Sequence, residues 1–558
     1  MVRRLNFLYL LLAFSCSNAS SSDLTFSSNQ SNQSNQSNNV SDSIPTIEEV
    51  TIIVHPVFDE SNPKENNMLF RLINRMHINT KKHIIEKDLT FKNGEVLDKV
   101  LLEESERRLR ERRYFAKASV ATVESESPEN PQKQVQVDVK EVWTLIPKIS
   151  YSNAGGNSHY GYGIHDSNFL GLGKTLVIEQ SSSTERRSNA IVYRDPNFGM
   201  DKELALSFAD NSDGKEHEVQ FINPFRSVRT PWTAGVHVLD FEREDTLFNA
   251  GKEARRFGHD RNFKSLFYGQ RLDLSTDDRA YRWTIGWDST ADNFYSVPLA
   301  ENNFSSELPL NRNFDIAWVE YAYLHNNFFE ATNIQQINRV EDINLGSELR
   351  LRIGHVLAND AQLDDSTALQ FDSSKAFKLS TSQLLTSKFS TSGFYTGNHS
   401  TQSITQIDVT YHWQNFTRGQ LYIFASEKYG NHLFTDMPLE LGGDTGLRGY
   451  PARFMAGDRS TLLTVEQRYF GEKEWFSLFH MGAAFFYDEG KVWGNTSVPQ
   501  NYQSTLRDLG VGLRISGTRT GGREEGAHNV AHIDLAYPLN NGNEIDKYLI
   551  SVKIKTGF

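Results

Sequence analysis

The sequence predicts a mainly β fold: a transmembrane antiparallel β-barrel of about sixteen strands, preceded by one small α+β domain. Three observations lead there. Short runs of alternating apolar and polar residues recur from Lys148 to the C-terminus. Beyond the N-terminal segment, no apolar run reaches the ~18 residues that a membrane helix needs. The chain also combines 12% aromatic residues and 37 glycines with only 15 prolines, a composition for many strands and tight turns. Its mean hydropathy of −0.52 suits a barrel, because lumen-facing residues dilute the hydropathy of every strand.

In chain order, residues 1–19 read as a secretory signal: Arg3 and Arg4 precede an apolar core from Leu5 to Phe14, and Ser17, Asn18 and Ala19 are small enough for cleavage. The alternative makes Cys16 a lipoprotein acceptor, although Ala13, Phe14 and Ser15 before it match that pattern poorly. Cleavage after Ala19 removes the only cysteine, so the core must hold without a disulfide. Residues 20–46 repeat Asn-Gln-Ser and cannot bury a core. In a bacterial envelope they read as a tether; in a eukaryotic secretory protein their Asn-x-Ser triplets would be glycosylation sites.

Residues 47–147 form the small domain. "EEVTIIVHPVFD" is an extended strand, "NNMLFRLINRMHI" and "KKHIIEKDL" are helical pieces, and "DKVLLEESERRLRERRYF" is the clearest helix. Asp98 is placed to cap that helix, with Glu103 and Glu104 toward its start and Arg110, Arg112 and Arg113 toward its end, as the macrodipole favours. Two strands follow, and Val135, Val137 and Val139 alternate with polar residues in the second.

Residues 148–558 form the barrel. In "YLISVKIKTGF", Tyr548, Ile550, Val552, Ile554 and Phe558 share one face, opposite Ser551, Lys553 and Lys555. A sandwich also alternates, but the long polar loops between short turns fit a membrane barrel, whose closure leaves no unpaired edge in lipid. Sixteen strands give about 26 residues each, loops included.

The common catalytic and metal signatures are absent from the sequence, and "NFLGLGKT" is a glycine-rich turn rather than a phosphate loop, because Asn168 replaces its first glycine. The expectation is no enzyme, no metal and no cofactor. A formal net charge of −12 argues against a nucleic-acid partner.

Arg448, in "LGGDTGLRGY", is either a solvated loop charge or a residue aimed at something. Strands counted back from Phe558 place it in the loop before the fifth strand from the end, which joins strands 11 and 12 of a sixteen-strand barrel. In "RSTLLTVEQRYF", Glu466 opposes Leu463, Val465 and Tyr469; in "FHMGAAFFYDEGKVW", Asp488 opposes Phe485 and Tyr487. A carboxylate facing lipid is destabilising at depth, so both should face the lumen from adjacent strands. A loop folded inward brings Arg448 between them, where a guanidinium fork binds two carboxylates.

"GGDTGLRGY", followed by "LLTVEQRYF", "AAFFYDEGKVW" and "DLGVGLRIS…HIDLAYPL", resembles the C-terminal half of the BamA/TamA superfamily of outer-membrane assembly proteins, with two-partner-secretion transporters as relatives. The resemblance implies a loop tip of Leu447, Arg448, Gly449 and Tyr450 tucked against an acceptor strand from Phe486 to Gly490. Asp488 is its acidic residue, with Glu466 as the second carboxylate. Residues 47–147 are similar to a POTRA module, whose strand edge pairs with client polypeptides. A single such module departs from the several usual in the family and favours a specialised paralogue.

The expected function is insertion or translocation of unfolded outer-membrane or secreted polypeptides. The expected location is the bacterial outer membrane, in contact with its lipid and with the POTRA-like domain in the periplasm. The seam would lie between the first barrel strand, near "KISYSNAG", and the last, which ends at Phe558. Export of a dedicated partner, a passive diffusion channel and a barrel lipase are the alternatives.

Overall fold

The computed structural model describes residues 45–558 except 113, 124–132, 155–156, 184, 200–201, 298–307, 359–362, 364, 398, 498–503, 520–528, 541–544 and 557–558. The signal, Cys16, the tether to residue 44 and Phe558 lie outside the described residues.

The N-terminal portion contains β1 (Ile47–His55), α1 (Met68–Met76), α2 (Lys82–Asp88), α3 (Lys99–Glu111), β2 (Phe115–Val123) and β3 (Lys133–Glu141). Asp98 caps α3, its side chain accepting from Val100 N–H. The sheet order is β1-β3-β2, with β1 parallel and β2 antiparallel to β3. Period-two alternation turns Val135, Val137 and Val139 inward against Leu102 and Leu109 of α3, and these residues form the core.

Ten strands follow: β4 (Leu145–Ala154), β5 (Asn157–Asp166), β6 (Thr175–Ser182), β7 (Arg187–Phe198), β8 (Lys202–Asn211), β9 (Gly214–Asn223), β10 (Trp232–Asn249), β11 (Lys252–Arg271), β12 (Arg279–Tyr295) and β13 (Arg312–His325). A short hairpin, β14 (Phe328–Thr332) and β15 (Val340–Asn344), precedes β16 (Ser347–Ala358), β17 (Thr367–Lys378), β18 (Gln383–Thr396), β19 (His399–Phe416) and β20 (Gly419–Asn431). A second hairpin, β21 (Leu439–Leu441) and β22 (Met455–Gly457), precedes β23 (Arg459–Trp475), β24 (Phe479–Trp493), β25 (Leu506–Gly517), β26 (Asn529–Pro538) and β27 (Leu549–Thr556). Leaving out the two hairpins, consecutive strands pair antiparallel, and β27 pairs back to β4. The order is circular.

Among the described residues this ring has twenty strands, not about sixteen. The even spacing assumed from sequence is too generous for the first part, where six strands fit between Leu145 and Asn223. Turns there are as short as residues 212–213. The first ring strand also begins at Leu145, three residues before the expected boundary, and Pro45–Phe558 packs as one unit. The expected alternation of short turns with long loops holds only in part, because residues 326–346, on the end facing the small domain, form one of the longer connections.

The faces are sorted in the opposite sense to a soluble sandwich. Ile285, Val319, Phe485 and Val511 point outward, each at least half exposed. Arg312, Glu466, Asp488, Arg514 and Asp534 are buried inside. An apolar exterior around a charged interior suits lipid outside and water or ion pairs within. Among the described residues no helix is long and apolar enough to cross a membrane, which says nothing of strands.

The hairpin β14–β15 crosses the ring's domain-side mouth. Its tip accepts hydrogen bonds from Gln414 (to Thr332 O, 3.0 Å) and Gln420 (to Asn333 O, 2.8 Å), while Asn338 donates to Gly471 O at 2.9 Å. Ile337 packs against Phe470 and Val530. From below, Arg110 of α3 forks onto Asp342 at 3.1 and 2.8 Å and pairs with Glu330 at 3.1 Å.

Candidate functional site

The distal loop 432–458 joins β20 to β23, the fifteenth and sixteenth strands of the ring rather than the eleventh and twelfth. It remains the loop before the fifth strand from the end. Its β21–β22 hairpin carries a tip that turns on glycine. Gly446 adopts φ +139°, and Gly446 and Leu447 both donate to Gly442 O. Asp444 accepts from Arg453 N–H at 3.2 Å, which holds the tip's two sides together.

This tip brings Arg448 between the two carboxylates. Arg448 Nε donates to Asp488 Oδ2 at 2.7 Å and Nη2 to Asp488 Oδ1 at 3.0 Å, a bidentate fork. Nη1 donates to Glu466 Oε2 at 2.9 Å. The guanidinium lies 3.4 Å from the centre of the Phe486 ring, which adds a cation–π contact. The side chain is only 7% exposed, so these contacts replace most of its water.

The neighbours enlarge the pair into a network. Glu466 Oε1 accepts from Arg468 Nε at 3.2 Å and Arg514 Nη2 at 3.1 Å. Arg514 Nη1 donates to Asp534 Oδ1 at 2.5 Å, and Asp534 Oδ2 lies 3.5 Å from Arg448 Nη1. Three guanidinium groups alternate with three carboxylates, each buried charge facing its opposite. That arrangement offsets the several kcal/mol that each ion loses on desolvation. Asp488 also accepts from Thr464 Oγ1 at 2.8 Å.

The other expected residues frame this centre. Tyr450 is fully buried; its hydroxyl donates to Arg507 O at 2.7 Å and accepts from Arg507 N–H at 3.2 Å. Gly449 passes so close to β25 that an added Cβ would sit 2.6 Å from Asp508 Cβ. At Gly490 a Cβ would meet Leu441 at 2.7 Å and Leu447 at 3.4 Å. Leu447, Tyr450, Phe454 and Leu462 share one apolar cluster beside the ions.

Sequence reasoning leaves out Arg468, Asp508, Arg514 and Asp534. The parity that singles out Glu466 and Asp488 also selects these four, so the signal was present in their strands. It also leaves out two further clamps on the loop. Arg312 of β13 forks onto Asp436 at 2.8 and 2.9 Å, and Arg453 pairs with Glu185 at 2.7 Å. The loop is thus tied to well-separated parts of the ring, β13 and the turn between β6 and β7.

No family model matches the sequence, and no curated protein matches it either. Among solved structures the chain is similar to BamA from Haemophilus ducreyi lacking POTRA domains 1–3, at 11% identity and TM-score 0.39, over 92% of this chain and 85% of that one. It is similar to CdiB from Acinetobacter baumannii at 11% identity and TM-score 0.44, over 92% and 74%. CdiB from Escherichia coli follows at 11% identity and TM-score 0.36, over 94% and 93%.

Proposed function

We propose that this chain is an outer-membrane β-barrel that inserts or translocates polypeptides, with its N-terminal POTRA-like domain in the periplasm. One observation carries the reading: the ring is sparsely paired at its seam. β26 and β27 stay paired from Asn529↔Thr556 to Ala536↔Leu549, and β4 and β5 from Leu145↔Asp166 to Ala154↔Asn157. Among the described residues, β27 and β4 share the single register pair Val552↔Asn153. A seam with few ladder bonds opens at lower cost than its neighbours and offers a client strand two edges to pair with.

The remaining parts have roles around that seam. β2 is an edge of the small sheet and can take up an extended client by β-augmentation. The Arg448 network keeps the distal loop inside the barrel, bracing β23, β24 and β26 while the seam works. With the loop in the lumen and the β14–β15 hairpin across the periplasmic mouth, a passive diffusion channel is the weaker alternative. Export of a dedicated partner through the lumen requires both obstructions to leave. No enzymatic step and no cofactor enter the proposal.

Deletion followed by comparison of the envelope and secreted proteomes tests it. Loss of particular outer-membrane or secreted polypeptides is expected. Unchanged proteomes together with a loss of small-solute permeability would favour the channel instead.

A further inference from the structure

Among the described residues nothing covers one apolar face of helix α1. Its inner side is used: Phe70 stacks on Phe58 at 3.9 Å, and Asn74 exchanges hydrogen bonds with the Phe58 backbone. The opposite arc exposes Met68, Leu69, Leu72 and Met76 by 83, 59, 48 and 58%, and Ile78 just beyond the helix by 53%. On a helical wheel Arg71 and Arg75 border this arc. Both are exposed, as are Lys81 and Lys82 just beyond.

The helix is pinned at both ends to the barrel rim, on either side of the seam. At its start, Glu65 pairs with Arg519 in the turn after β25 at 2.8 Å. After its end, Lys81 N–H donates to Gly171 O at 2.9 Å, and Asn168 Nδ2 donates to Thr80 Oγ1 at 2.8 Å, both in the turn after β5. The strands between those two turns are β26, β27, β4 and β5. Arg519 also donates to Ser477 O at 3.2 Å, in the turn after β23 where Phe476 is 75% exposed, next to Trp475 at the strand's end at 39%. The helix is therefore held at the domain-side rim of the barrel, next to exposed aromatic side chains of the kind that mark a membrane boundary.

We propose that α1 is an interfacial helix: its Met/Leu face enters the head-group region of the periplasmic leaflet directly beneath the seam, and Arg71 and Arg75 meet anionic phospholipid head groups. This rests on reading the barrel as membrane-spanning. It assigns lipid, rather than a protein, as the occupant because the exposed apolar arc is bordered by cations on a helix held at the rim of a barrel whose outer face is apolar. Its consequence is a lipid contact at the point where a client strand would enter the bilayer.

The test uses the full chain in a Cys16→Ser background, carrying a fluorophore at Leu72→Cys or, separately, at Val511→Cys on the barrel's outer face. Each is reconstituted into phosphatidylethanolamine/phosphatidylglycerol vesicles with or without a shallow spin-labelled lipid, after gel mobility shows a folded barrel. Loss of emission at both sites with spin-labelled lipid, and little loss with aqueous iodide, is expected. Quenching at Val511→Cys but not at Leu72→Cys, with iodide reaching the latter, overturns the proposal and leaves the barrel reading standing. Shielding of Leu72→Cys from both quenchers also overturns it and points to a protein partner or a second copy. Absence of lipid quenching at Val511→Cys sinks the membrane-spanning reading, and this inference with it.

Discussion

Replacing Arg448 by alanine should release the loop tip. In the intact site Asp488 receives two hydrogen bonds from Arg448 and one from Thr464, and it pairs across the ladder with Asp508. Arg448→Ala leaves Asp488 fully buried, with Thr464 still donating to it but the bidentate guanidinium gone. Glu466 keeps Arg468 and Arg514 and suffers less. Removing one partner of a buried ion pair costs about 3–5 kcal/mol, which at about 1.4 kcal/mol per tenfold raises the open fraction roughly a hundredfold to a few thousandfold. Proteolysis of an opened segment tracks that fraction when closing outpaces cleavage. Proteinase K should therefore cut between Leu447 and Phe454 faster by about that factor, in protein whose gel mobility still reports a folded barrel. The Arg312–Asp436 clamp should hold the loop's shoulder in place. A cleavage rate within about twofold of wild type would refute the reasoning, since even an ordinary hydrogen bond to a charged group is worth ~1.5–3 kcal/mol.

Three further outcomes follow from the same geometry. Gly449→Ala keeps every charge but drives a Cβ to 2.6 Å from Asp508, so it should raise protease sensitivity at the tip; wild-type resistance would count against close docking. Arg110→Ala removes the fork onto Asp342 and the pair with Glu330, and should speed hydrogen exchange in residues 328–344 without changing cleavage of the distal loop. Burial lifts the Glu341 carboxyl from 4.5 to about 7, against the pull of the Gln335, Ile334 and Gln336 N–H groups. The folded hairpin thus holds its proton more tightly than the unfolded one, so this contribution is full below about pH 4.5 and is lost as pH rises through about 7. Exchange protection of the hairpin, corrected for intrinsic rates, should fall from pH 5.5 to pH 8 in wild type and stay flat in Glu341→Gln.

The candidate site is legible in the sequence to the extent that it depends on period two. A carboxylate among outward Val, Phe and Tyr residues has to point inward, which selects Glu466 and Asp488 without any structure. The same rule reaches Arg514 and Asp534, but their pairing depends on which strands the ring makes neighbours. The clamp from Arg312 to Asp436 joins residues 124 positions apart, and nothing local announces it. The β14–β15 hairpin is hidden for a related reason. "FFEATNIQQINRVEDIN" alternates like any strand pair, and only tertiary contacts turn it across the mouth rather than into the wall. The strand number suffers from averaging, because connection length varies along the chain while the estimate assumes it does not. The exposed face of α1 was visible as an apolar helix, but its position below the seam comes from Glu65 and Lys81 finding partners in distant turns.

The central claim is that the seam opens. Val552 and Asn153 are register partners, and facing strand residues lie ~4.5–5.5 Å apart at Cα, within disulfide reach. Cysteines at both positions, in a Cys16→Ser background, allow the seam to be closed by oxidation and reopened by reductant in the deletion strain. If the seam is the gate, the oxidised protein fails to restore the missing envelope or secreted polypeptides and the reduced protein restores them. Full restoration by protein shown to be oxidised would contradict the account.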